Sequence, residues 1–305
     1  VLTLNRAPAR QLSKIATDAI KAVLLTGGPR SAPPWDEISA VKAVVLDGFD
    51  AIATGWQPVL AAQGYKLDLT AVFTHGRPQV GSTAGTCELA DLLIVMDEKD
   101  ASGWCDRRAV LVQAKLFKTG AIRLSSKEKV QFDLMFGWPS FTFKDPGYDK
   151  RPRNFHDPAA PGVAEHAGEY GGIELGSAPR QWDQLMMQNG YSFAADHPLG
   201  DYLVQMLQGH DAYGREATFK GADDWSFTVE ELMRVTAAKG ITKKSTILRG
   251  NSHSLRFMGL ETSQLAILST LVGDGGRDIS GGHPDGDFWR DGPLSVVHLA
   301  LSTEI

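Results

Sequence analysis

Four side chains have the types and spacing to handle a metal ion beside a phosphate: Glu88, Asp91, Gln113 and Lys115. They lie in two apolar runs, CELADLLIVM and RRAVLVQAKLF, separated by a polar turn. Both runs read as strands, roughly 87–96 and 107–117, yet carry polar groups where a buried strand ordinarily places aliphatic ones. Carboxylates are the hard oxygen donors that Mg2+ or Mn2+ takes, usually with several retained waters. Such an ion activates an attacking water and offsets negative charge in the transition state. An amine beside it can orient that water, help deprotonate it or neutralise charge on the phosphate. The chemistry implied is metal-assisted hydrolysis of a phosphodiester.

Strand geometry sorts these groups. Gln113 and Lys115 are two apart, so they share one face, while Ala114 points with Val110 and Val112 toward a packed helix. Asp91 on the neighbouring strand supplies the metal oxygen, Gln113 orients a ligand or water, and Lys115 assists the nucleophile. Glu88 is three residues before Asp91, a spacing that sends the two to opposite faces of a regular strand. Both reach one ion only if the strand bulges or begins between them. Glu37, at the start of a helix, competes for the same role. The plain alternative is that Asp91 caps a strand and that Gln113 and Lys115 are simply exposed.

The elements that must hold these groups are read from periodicity and breakers. Leu12, Ile15, Ala19 and Val23 mark a helix over about 9–25. A second helix after Pro34 turns Ile38, Val41, Val45 and Phe49 inward, with Gly48 as an interruption and a short piece at Pro58–Gln63. Residues 67–74 alternate as a strand ending at His75-Gly76-Arg77-Pro78. The two informative strands follow as an antiparallel hairpin, then a helix over Ser125–Phe136 with Ser126 as a cap, then a short strand Phe141-Thr142-Phe143. Residues 144–180 read as an extended surface segment. Helices are expected at Pro198–Gln208 and Thr228–Lys239, a Gly/Asp loop over 273–292 and a last strand at Leu294–Leu301. Residues 245–272 mix both characters.

The order helix, three strands, helix, strand with D…QxK on consecutive strands resembles the PD-(D/E)xK nuclease superfamily. The resemblance spans about residues 35–145. It implies an α/β fold: a restriction-endonuclease-like αβββαβ core with a mixed central sheet. N-terminal helices (1–34) and a C-terminal α+β extension (146–305) would flank it. It assigns metal binding to Asp91 helped by Glu88, the QxK variant to Gln113 and Lys115, and Mg2+ or Mn2+ as the cofactor. Gln131 and Trp138-Pro139-Ser140-Phe141 fall on the following helix and its exit. Two departures stand out: Gln113 is neutral, and Ala90 rather than proline precedes Asp91. The implied function is a DNA endonuclease, with a part in antiphage defence or restriction, a homo-oligomeric state and an activating ligand or partner protein as further expectations. The alternatives are an inactive nuclease-like module that binds nucleic acid or assembles, and a hydrolase of RNA or small phosphodiesters.

The chain has 305 residues, 43% hydrophobic and 22% charged, with a formal charge of −5. An acidic balance argues against a nonspecific nucleic-acid coat, whose affinity rests on phosphate contacts. It leaves room for a basic cleft: Lys118, Arg123 and Lys127 lie beside Lys115 and Lys129, and His75 and Arg77 end the preceding strand. A solvated helix face accounts for that lysine run equally well. Lys150-Arg151-Arg153 is a second basic cluster, and Trp138 with Phe141 and Phe143 are candidates to line a cleft. Cys87 and Cys105 are too few for a disulfide framework, and no apolar run nears the ~20 residues that span a bilayer, so a cytoplasmic setting with no membrane contact is expected. GxxxxGK[ST] and G-x-S-x-G are absent, and the eight histidines show no zinc spacing.

Overall fold

Leu12, Ala16, Ile20 and Val23 recur at helical spacing and form the buried stripe of α1 (Arg6–Thr26). The computed structural model describes residues 2–100, 105–117, 121–126, 128–156, 166–176, 179–188, 190–218, 223–239, 246–249 and 293–303. Asp36 opens the next helix by accepting the Ser39 amide at 2.8 Å, which satisfies one of the first-turn donors. That helix, α2 (Glu37–Ala43), runs through a π-helical turn at Val44–Gly48 into α3 (Phe49–Ala61). Val41, Val45 and Phe49 are buried as expected, whereas Ile38 is 40% exposed. Gly48 therefore does not break the path, and the piece expected from Pro58 is the end of α3.

The first strands are β1 (Tyr65–Phe73), β2 (Gln79–Ser82), β3 (Gly85–Glu88), β4 (Leu92–Lys99) and β5 (Cys105–Phe117). Next come β6 (Ala121–Arg123), α4 (Lys129–Gly137), β7 (Phe141–Phe143), β8 (Gly168–Glu174), β9 (Gln181–Met187) and β10 (Ser192–Pro198). The remainder is α5 (Leu199–Leu207), β11 (Arg215–Glu216), α6 (Asp224–Lys239), β12 (Thr246–Arg249) and β13 (Ser295–Thr303).

This is a mixed α/β fold built on a large mixed sheet. Among the described residues its order is β12-β1-β13-β4-β5-β8-β9-β10-β6, with β11 also paired to β5. The β4–β5 hairpin is antiparallel, registering Leu92 with Val112 and Lys99 with Cys105. Side-chain alternation gives the sheet two apolar faces. Leu92, Ile94, Val110, Val112 and Ala114 pack with α1, α3 and α5, while Leu93, Val95, Ala109 and Leu111 pack with α4 and α6. Burying each large aliphatic chain contributes about 1.5–3 kcal/mol, which holds the sheet between its two helical layers.

Three placements differ from the sequence reading. β1 does not adjoin β4, because β13 lies between them, antiparallel to β1 and parallel to β4. Phe141–Phe143 does not enter the main sheet but pairs with β2 in a second sheet, β3-β2-β7. The strand that returns parallel to β5 after α4 is β8, inside the stretch expected to be surface loop. Its Ile173 and Tyr170 are buried. Strands from both sides of residue 145 thus share one sheet. Trp138, Phe141 and Phe143 are buried too and line no cleft.

A sealed polar cluster sits farther along the α6 face. Asp97 on β4 accepts two hydrogen bonds from Arg107 at 2.7 Å each, and His298 on β13 reaches Asp97 at 2.9 Å. All three are 2% exposed or less. Burial alone would raise the Asp97 pKa, but His298 and Arg107 outweigh it and hold it below the ordinary value.

Candidate functional site

The apolar run that contains Glu88 and Asp91 is not one strand. β3 ends at Glu88, Leu89 and Ala90 are buried, and β4 begins just after Asp91. The break resolves the awkward three-residue spacing: Glu88 belongs to the small sheet, Asp91 to the mouth of the large one, and both turn toward one point. His75, on the loop that leaves β1, completes the group. Ligand atoms of His75, Glu88 and Asp91 all lie within 4.8 Å of one another.

Asp91 is held from two sides. Its amide donates to the Val112 carbonyl at 3.0 Å. Its carboxylate accepts the Ala114 amide at 2.8 Å and the side-chain amide of Gln113. Asp91 continues the parity of Leu93 and Val95, and Gln113 and Lys115 continue that of Ala109 and Leu111, so all three share the α4 face.

Gln113 is 2% exposed. Gln131 on α4 donates to the Gln113 side-chain oxygen and also to the Glu88 backbone carbonyl at 3.0 Å. A carbonyl can only accept, so the Glu88 contact fixes which end of Gln131 carries the N–H. That in turn orients Gln113 with its own N–H toward Asp91. The amide thus acts on Asp91, not on an open ligand position.

Lys115 keeps 13% of its side chain exposed and stands between Glu37 on α2, at 3.5 Å, and Glu128 before α4, at 3.6 Å. Glu37 also accepts the Leu116 amide at 3.3 Å, which ties α2 to the end of β5. Glu128 is fixed by Ser125, whose amide donates to it at 2.8 Å and hydroxyl at 2.6 Å. Ser125, not Ser126, therefore makes the polar turn before α4.

The electrostatics are those of crowded acids. Burial, reinforced by Asp91, pushes Glu88 up to about 8, while the Gly76 amide and Lys115 oppose the rise. Burial and then Glu37 push Asp91 up to about 7, against Lys115, the Ala114 amide and Gln113. Burial lowers the Lys115 pKa, but Glu37, Asp91 and Glu128 outweigh it, so the amine is held charged. Burial lowers His75, opposed by Glu37 and Asp36, which leaves a neutral imidazole able to ligate. The donor set fits a hard divalent cation: two carboxylates suit Mg2+, and the imidazole nitrogen widens the choice toward Mn2+.

Other sequence candidates fall elsewhere. Arg77 gives one guanidinium N–H to Asp145 at 2.6 Å. Arg123 is exposed on β6, which pairs with β10 rather than with β5. Lys118 and Lys127 lie outside the described residues, as does the 273–292 tract. In the second basic cluster Arg153 is buried against Glu231 at 2.7 Å, and Arg151 pairs with Asp224 and stacks on Phe227. Glu128 lies within the lysine run and is not singled out by the sequence; its Ser125 partner, three residues earlier, is the available signal. Compared with known proteins, the chain shows no significant match to any family model, curated protein or solved structure.

Proposed function

We propose that the protein is a metal-dependent nuclease that hydrolyses phosphodiester bonds of DNA, on a core of the restriction-endonuclease-like kind. One observation carries the reading: Glu88, Asp91 and His75 converge within 4.8 Å beside an ammonium, Lys115, that is electrostatically coupled to Asp91. Support for the fold comes from the β4–β5 hairpin followed by α4 and a strand, β8, parallel to β5.

Asp91, Glu88 and His75 would hold the cation. Bound there, a Mg2+ or Mn2+ ion supplies Lewis acidity toward a phosphate oxygen and a water of lowered pKa. The chain's own groups do the rest. The Ala114 amide and Gln113 fix one Asp91 oxygen, leaving its other oxygen for the ion. Lys115 faces the phosphate and offsets charge that grows on it. Glu37 and Glu128 keep that amine protonated and aimed while no substrate is present.

The test is supercoiled plasmid incubated with Mg2+ or Mn2+, with folded RNA as the competing substrate. Nicking or linearisation that EDTA stops and Asp91→Asn abolishes is expected. No cleavage of either polymer under any divalent ion removes the catalytic reading and leaves a binding module. Preferential RNA cleavage would change the substrate.

A further inference from the structure

We propose that the cleft between α1 and α5 binds an organic phosphate of nucleotide size. The cleft has a volume of about 860 Å3 and is lined by Arg6, Arg10, Lys14, His197, His210 and Tyr213, among others. That is the range of small-ligand sites. It lies on the α1–α5 face of the sheet, whereas Asp91, Gln113 and Lys115 project from the other face.

Arg6, Arg10 and Lys14 recur every four residues, so their heads stand along one wall at intervals of ~6 Å. Two acids share the lining: Asp18 pairs with Lys14, and Asp201 accepts the hydroxyl of Ser13, a neutral donor. Arg6 and Arg10 have no ion pair or side-chain hydrogen bond among the described residues. Two forked cations facing a cleft match the oxygens of a phosphate or diphosphate.

The opposite wall has a different character. His197 sets its Nδ1 on the Asp196 carboxylate at 2.8 Å, so Nδ1–H donates there and Nε2 is the open ring nitrogen. Nε2 is buried with no hydrogen-bond partner. An amine or hydroxyl of a ligand would satisfy it. Tyr213 stands edge-on to His197 with ring centroids 5.7 Å apart, giving a flat ring a surface to lie against. Cations at one wall and an aromatic surface with one open ring nitrogen at the other fit a phosphate tail joined to a heterocycle. The walls are preformed, because Gly200 brings α5 onto α1 so closely that a Cβ there would meet the Thr17 amide nitrogen at 2.6 Å.

The experiment is calorimetric titration of the full chain with adenosine diphosphate and, separately, inorganic pyrophosphate. Saturable binding of one adenosine diphosphate per chain is expected, weakened at least tenfold in Arg6→Glu/Arg10→Glu, two exposed sites whose change leaves the thermal midpoint in place. Tyr213→Ala is expected to weaken adenosine diphosphate and spare pyrophosphate, and Lys115→Ala and Asp91→Asn to bind as wild type. No saturable heat at millimolar ligand, or wild-type affinity in the double arginine variant, overturns the proposal. Loss of binding in Lys115→Ala also overturns it, by moving the ligand to the carboxylate cluster. Plasmid cleavage can fail without touching any of these outcomes.

Discussion

Gln113 donates its side-chain amide to Asp91 across 22 positions of sequence, and that bond makes the glutamine a support for the carboxylate. With Gln131 behind it and the Glu88 carbonyl behind Gln131, three amide contacts link α4, β5 and the end of β3. The relay predicts that Gln131→Leu lowers activity at least tenfold while leaving Lys115 and all three candidate ligands in the chain. The buried Gln113 oxygen left unpaired costs about 1–3 kcal/mol of stability. Metal-dependent cleavage together with a urea melt reads both effects. Full activity in Gln131→Leu would show that Asp91 needs no such support.

Glu88 at about 8 and Asp91 at about 7 titrate well above an unfolded carboxyl, near ~4. The folded chain therefore binds more protons than the unfolded one between about pH 4 and 8, so metal-free stability falls as pH rises across that window. A divalent ion binds the deprotonated pair, so its stabilising effect grows over the same interval. Thermal scans are expected to show a larger Mn2+-induced rise in Tm at pH 8 than at pH 5.5. Glu88→Gln/Asp91→Asn should erase the difference. An equal Mn2+ effect at both pH values would count against these ligands.

How much of this was legible in the sequence differs by element. The β4–β5 pair and the shared face of Gln113 and Lys115 follow from two apolar runs joined by a polar turn and from the two-residue period of a strand; the register does not, because both faces of the pair are buried. The place of β13 was hidden, since its pairing joins residue 65 to residue 303 and no local pattern records such a contact. β8 was hidden by its composition. Gly171 and Gly172 read as loop, yet a Cβ at Gly171 would sit 2.2 Å from the Trp182 indole nitrogen, and one at Gly172 would meet Phe117 and Leu185 at 2.6 Å. Those glycines make room for ring packing within the sheet. His75 was visible as a strand-end residue. That it faces Glu88 depends on the loop that carries it, where Gly76 gives its amide to the Glu88 carboxylate.

The sealed Asp97–Arg107 pair offers a control that separates stability from chemistry. Removing one member takes the bidentate partner from a buried charge, which costs about 3–5 kcal/mol. Asp97→Ala and Arg107→Ala should each lower the unfolding free energy by that order in chemical denaturation. At temperatures where the variants remain folded, Mn2+ affinity should be unchanged. The low Asp97 pKa adds stability above the unfolded carboxyl value, and that part is lost as pH falls through the folded one. A neutral outcome for both substitutions would mean that water reaches the pair.

Lys115→Ala removes the amine and keeps every candidate metal ligand, so it isolates the central claim. Initial rates of plasmid nicking in saturating Mn2+ should fall at least a hundredfold, about 2.7 kcal/mol of transition-state stabilisation, with Mn2+ affinity within a factor of three of wild type. Wild-type rates in Lys115→Ala would contradict the account.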